Sequence, residues 1–175
     1  NQSLQKRIQK IKLLAMDVDG VLTDGQIIYD SQSEETKNFD VQDGLGIILL
    51  KRAGLKTAIL TARASKAVEI RAKDLEVDRL YQDAFPKGKF YRRLLRDLRL
   101  RDEETCFIGD DLPDLPVLKR VGLAVAVPDA VWEVKKAAHY VTKKKGGAGA
   151  VREVVELILK TQGIWSPLIE RLNDG

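Results

Sequence analysis

Apolar positions along the chain gather into short unbroken runs that alternate with longer stretches of helical periodicity. Residues 11–18 and 55–60 have the apolar continuity of buried strands, and residues 77–81, 105–108 and 123–127 read as further strands. Between them, residues 44–52, 65–75, Lys87–Leu98 and 115–121 carry apolar residues at helical spacing. Gly54 stands where the first of these helices would close. Val151, Val154, Val155, Ile158 and Leu159 lie on one stripe and predict the last helix, followed by a tail. Residues 26–29 and 36–41 flank a polar turn and predict a hairpin. Strand–helix alternation of this kind predicts an α/β fold with a mostly parallel central sheet. No repeat, low-complexity tract or Pro/Gly-rich linker breaks the chain, so one domain over residues 1–175 is expected.

Composition narrows the partners. Thirty basic and 26 acidic residues give a net charge of +4, too mild to argue for nucleic acid. The densest basic segment, Arg92 to Arg101, sets its arginines opposite Phe90, Leu94, Leu95 and Leu98, the pattern of a solvated helix face. Lys143, Lys144 and Lys145 precede Gly146 and Gly147 in a loop, where an anionic ligand remains open. No apolar run approaches the roughly 18–20 residues of a membrane span, and residues 1–12 do not read as a secretory signal. A single cysteine, Cys106, excludes an internal disulfide or a Cys-cluster metal site. Cytoplasmic location is the expectation.

Candidate chemistry collects beyond the carboxyl ends of the predicted strands. The first strand closes in Asp17-Val18-Asp19-Gly20, and residues two apart on an extended strand point the same way. Strand two ends at Thr61, the helix after strand three begins at Lys87, and strand four delivers Asp110 and Asp111, with Asp114 close behind. Such a set suits phosphate-ester hydrolysis. Asp17 is the candidate nucleophile and Asp19 the general acid/base. Mg²⁺ takes oxygen ligands, which Asp17, Asp110 and the Asp19 carbonyl would supply. Thr61 and Lys87 would hold the phosphoryl oxygens, and Asp111 and Asp114 would orient the rest. Lys87 is preferred to Lys89 on its spacing to Gly109.

These motifs resemble the four signatures of the haloacid dehalogenase superfamily: Asp-x-Asp, Thr/Ser, Lys and Gly-Asp-Asp-x-x-Asp. More narrowly, residues 16–25, 41–47, 109–114 and 146–153 resemble the 3-deoxy-D-manno-octulosonate 8-phosphate phosphatase family of lipopolysaccharide precursor synthesis. That resemblance implies a Rossmannoid three-layer fold with a small hairpin insertion at about residues 25–41, and a homotetramer whose neighbours help complete each active site. It also implies substrate contacts from Thr61, Ala62, Arg63, Lys87, Asp43 and Gly44, with loop contacts from Gly146, Gly147 and Arg152. Octulosonate-type members carry arginine at the position of Arg63, where nonulosonate 9-phosphate phosphatases tend to be acidic. The chain departs from the family in Ala62, where glycine is usual, and in Gln42, where arginine is usual.

The intervals from Asp19 to Gly44 and from Thr61 to Lys87 are too short for a cap domain, so the pocket would be open unless a partner covers it. Ile27, Ile28 and Phe39 of the hairpin are candidates for that interface, or for simple core packing. Trp132 and Trp165, the latter placed in the tail, are packing or interface candidates. A response-regulator receiver domain shares an acidic pair, Thr/Ser and Lys, but sets the acidic pair on its first strand; here it ends the fourth. A nonulosonate or other sugar phosphate phosphatase, and a catalytically silent module on the same scaffold, are the alternatives that remain.

Overall fold

The computed structural model describes residues 2–173. Six parallel strands form the central sheet: β1 (Leu13–Met16), β4 (Lys56–Leu60), β5 (Arg79–Tyr81), β6 (Thr105–Gly109), β7 (Leu123–Ala126) and β8 (Tyr140–Val141). Their spatial order is β5-β4-β1-β6-β7-β8. The chain therefore winds outward from β1 through β4 to β5, then crosses back to β6 on the other side of β1. That reversal opens a crevice at the carboxyl end of β1, where ligands settle in open α/β sheets. The register sets Met16 beside both Ile59 and Ile108. All four β1 residues are buried, and Asp17 follows directly as the first polar residue. Burying each large apolar side chain contributes roughly 1.5–3 kcal/mol, so these strands anchor the polar ends that follow them.

Helices α2 (Val41–Arg52), α3 (Lys66–Asp74), α4 (Lys87–Leu98), α5 (Leu115–Leu118), α6 (Trp132–Ala137) and α7 (Ala150–Thr161) fill the connections, with α1 (Gln2–Ile8) leading into the sheet. The stripe Val151, Val154, Val155, Ile158 and Leu159 is wholly buried, and α7 packs on α2. Gly46 permits the close approach, since a Cβ there would stand 3.2 Å from the Arg152 Cα. On α4, Tyr91, Leu94 and Leu95 are buried while Arg92, Arg93 and Arg96 face solvent.

Three expectations are corrected. Helix α2 starts at Val41, three residues earlier than its apolar pattern predicts, because the Asp40 carboxylate accepts from the backbone N–H groups of Gln42 and Asp43. The hairpin is shorter than expected, pairing only β2 (Ile28–Tyr29) with β3 (Glu35–Thr36). Trp165 does not lie in a tail: it opens an additional helix, α8 (Trp165–Asn173), and its ring packs beneath Arg152 and Lys160. Helices α1 and α6 and strand β8 carry no signal in the apolar pattern. No helix among the described residues is long and apolar enough to cross a membrane.

Candidate active site

Asp17 leaves β1 with its backbone N–H still bonded to the Ile108 carbonyl, so its side chain is aimed by the sheet itself. Its Oδ1 accepts from the Val18 N–H at 2.7 Å. The chain then coils tightly, and the Val18 carbonyl accepts from the N–H groups of Val21, Leu22 and Thr23. Gly20 lies in the left-handed region with φ of +84°, and a Cβ there would come within 2.0 Å of the Asp110 Oδ2. Glycine at this position is what lets Asp110 face Asp17.

Lys87, the first residue of α4, reaches under the sheet end with a side chain only 1% exposed. Its ammonium bridges Asp17 Oδ2 at 2.7 Å and Asp114 Oδ1 at 2.5 Å. The other Asp114 oxygen accepts from the backbone N–H groups of Asp110 and Asp111, at 2.9 and 3.3 Å. Asp114 is thus fully engaged in holding Lys87 and the loop after β6. Asp110 is not: its Oδ1 is buried without a hydrogen-bond partner.

Charge in this cluster is unbalanced. Oxygens of Asp17, Asp110 and Asp114 lie within 4.8 Å of one another, against the one ammonium of Lys87. Burial, then the charge of Asp114, pushes Asp17 up to about 7 despite Lys87. Burial, then the charges of Asp17 and Asp114, pushes Asp110 up to about 8. Burial pulls Lys87 down, but the two carboxylates it bridges outweigh that and leave it raised. A divalent cation between Asp17 and Asp110 would remove the repulsion and satisfy the orphaned oxygen, so the residues present fit one.

A pocket of about 230 Å³ opens above this cluster, lined by Asp17, Asp19, Gly25, Thr61, Ala62, Arg63, Lys87, Asp110, Asp111 and Pro113. Thr61 is buried, and its hydroxyl accepts from the Arg63 N–H at 3.4 Å. Asp111 is exposed and caps the Leu112 N–H at 2.7 Å. Arg63 is half-exposed at the rim, with Nη2 3.0 Å from Glu35 Oε2 and Nε 3.7 Å from Asp19 Oδ2. Lys37, unforeseen in the sequence, extends from the hairpin and buries its ammonium between Asp19 and Glu35. Burial lowers the Lys37 pKa, but the hydrogen bonds to those two carboxylates raise it further than burial lowers it. Glu35 and Lys37 are two apart on an extended arm and share a face, but only the folding of the hairpin over the end of β1 brings Lys37 to Asp19.

Five residues expected to touch substrate do not line this pocket. Asp43 is 1% exposed and turns inward, accepting from the Arg152 and Gly149 N–H groups at the start of α7. Burial, partly offset by the Arg152 N–H, pushes its carboxyl up to about 6. Gly44 gives room to the Arg71 guanidinium, which a Cβ would meet at 2.3 Å. Gly146 lies against the Gly20 carbonyl, where a Cβ would come within 1.8 Å, and the Gly147 N–H donates to the Val21 carbonyl. Both glycines thus brace the loop after Asp19 from behind. Arg152 pairs with Glu156 at 2.8 Å and covers Trp165.

Comparison with known proteins places this arrangement. Residues 78–154 match the haloacid dehalogenase-like hydrolase family. The chain is 48% identical over 157 residues to the 3-deoxy-D-manno-octulosonate 8-phosphate phosphatase of Yersinia pestis, covering 90% of this chain and 84% of the relative. The Escherichia coli K12 enzyme of the same name is 44% identical over the same shares. The crystal structure of the Moraxella catarrhalis enzyme of that name, in complex with magnesium, phosphate and the octulosonate sugar, superposes with a TM-score of 0.95. It is 43% identical and covers 98% of each chain.

Proposed function

The chain belongs to the 3-deoxy-D-manno-octulosonate 8-phosphate phosphatases within the haloacid dehalogenase-like hydrolases, and from that membership we propose that it hydrolyses this ester through an aspartyl-phosphate on Asp17. The observation that carries the chemistry is the cluster of Asp17, Asp110 and Asp114 around the buried Lys87 ammonium. When bound by the Asp17 and Asp110 carboxylates and the Asp19 carbonyl, Mg²⁺ supplies the positive charge that keeps Asp17 ionised and offsets the charge of the phosphoryl oxygens.

Asp17 Oδ attacks phosphorus, and the bond from phosphorus to the sugar oxygen breaks. Asp19, protonated, gives its proton to the departing oxygen. As a carboxylate it then takes a proton from water, whose oxygen attacks the phosphorus of the aspartyl-phosphate and frees Asp17 and inorganic phosphate. Lys87, fixed by Asp114, and the Thr61 hydroxyl hold the phosphoryl oxygens, and Asp111 closes the mouth beside them. Arg63 at the rim offers a planar fork to the sugar carboxylate, which favours the eight-carbon acid.

The chain acts as one domain without a cap, as a homotetramer in the cytoplasm, in lipopolysaccharide precursor synthesis, with neither nucleic acid nor membrane as partner. The open pocket supports an oligomer, as do the exposed Ile27, Ile28 and Tyr29 of the hairpin, which leave an apolar surface for a neighbouring subunit. Asp17→Asn tests the chemistry: turnover should vanish while the melting temperature is kept, and substantial remaining activity would remove Asp17 as nucleophile.

A further inference from the structure

The Lys37 side chain is withdrawn from water, at 1% exposure, although the two hairpin strands beside it are largely exposed. Burying an ammonium is costly unless it is paired, and here both partners are carboxylates. Its Nζ stands 2.5 Å from Asp19 Oδ1 and also contacts Glu35 Oε1. Glu35 Oε2 in turn holds Arg63, whose Nε faces Asp19 Oδ2 at 3.7 Å. The four groups close a ring of alternating charge around the Asp19 carboxyl, with one Asp19 oxygen assigned to each cation.

We propose that Lys37 is a positioning residue for Asp19, setting the angle at which that carboxyl meets the leaving oxygen and the attacking water. This rests on the acid/base reading of Asp19. When a substrate carboxylate engages Arg63, Lys37 is the cation left to fix Asp19, and Glu35 keeps Lys37 from following the substrate. A displacement of about 1 Å in a group of this kind costs on the order of a hundredfold in rate. The alternative, a purely structural role, is that Lys37 only pins the hairpin to the body of the fold.

The two roles separate by leaving group. A sugar alkoxide needs the proton that Asp19 gives, whereas 4-nitrophenolate departs as a stable anion without it. In single-turnover measurements with Mg²⁺, Lys37→Met should cleave the octulosonate ester about 10- to 100-fold more slowly than wild type. KM and the burst of 4-nitrophenolate should both stay within about threefold. Lys37→Arg should recover part of the loss, and Glu35→Gln, which loosens Lys37 without deleting it, should show the same selectivity at smaller amplitude. Ester cleavage within about threefold of wild type in both Lys37→Met and Glu35→Gln, or equal loss on both substrates, would overturn the proposal. Asp19→Asn in parallel isolates the premise: normal ester cleavage there would topple the acid/base reading itself, while selective loss there beside a normal Lys37→Met would remove only Lys37.

Discussion

Binding of Mg²⁺ should depend steeply on pH, because protons occupy the charge deficit that the cation would otherwise fill. Burial and like charges raise Asp17 to about 7 and Asp110 to about 8. For an acid whose pKa rises on folding, the metal-free fold binds more protons than the unfolded chain, so its stability is greatest at low pH. That contribution is lost as pH climbs from the ordinary carboxylate value of 3.8 towards about 8. Mg²⁺ needs both groups ionised and acts in the opposite sense. At about pH 6, roughly one Asp17 in ten and one Asp110 in a hundred would be ionised, so both together in about one molecule in a thousand. At about pH 8, roughly nine in ten and one in two would be. Affinity should therefore rise by about two to three powers of ten over this range, equivalent to about 3–4 kcal/mol. Nearly two protons should be released per ion at the acid end and fewer than about one at the alkaline end. Isothermal titration calorimetry in buffers of different ionisation enthalpy reads both quantities. A flat affinity with no proton release across that range would refute the charge-deficit argument.

Other perturbations probe the same frame. Lys87→Met leaves Asp17 and Asp114 buried without their shared cation, which should cost about 3–5 kcal/mol in the metal-free protein. For a chain of this size that lowers the melting temperature by about 6–20 °C, most at alkaline pH; a fall under about 3 °C would contradict the burial argument. Gly146→Ala drives a methyl group into the Gly20 carbonyl, so the loop after Asp19 must shift. Turnover should fall by about a hundredfold, with a stability loss of about 1–3 kcal/mol measured by urea unfolding. Wild-type kinetics in that variant would show that the loop has room to spare.

The parts of this molecule that the sequence reveals are those governed by local pattern. A strand buried on both faces in a parallel sheet must be apolar throughout, so β1, β4 and β6 stand out, and the first polar residues after them are Asp17, Thr61 and Asp110. Lys87 likewise heads a helix with a clear apolar face. Elements that escape notice are short or lack periodicity: β8 has two residues, and α8 has Pro167 in its first turn. Asp43 is expected at the substrate from the family resemblance alone. In the fold it sits in the first turn of α2 and faces inward, where the Gly149 and Arg152 N–H groups at the start of α7 hold its carboxylate, a long-range contact that local pattern does not encode. Lys37 likewise depends on a hairpin folding back over a strand end 18 residues earlier.

Phosphate release with Mg²⁺ from 3-deoxy-D-manno-octulosonate 8-phosphate, measured beside the nine-carbon analogue and common sugar phosphates, tests the central claim most directly. A kcat/KM for the eight-carbon acid well above every other ester is the predicted result, with the preference lost in Arg63→Ala. Equal rates across the panel would contradict the substrate assignment, and no phosphate release from any ester would contradict the phosphatase itself.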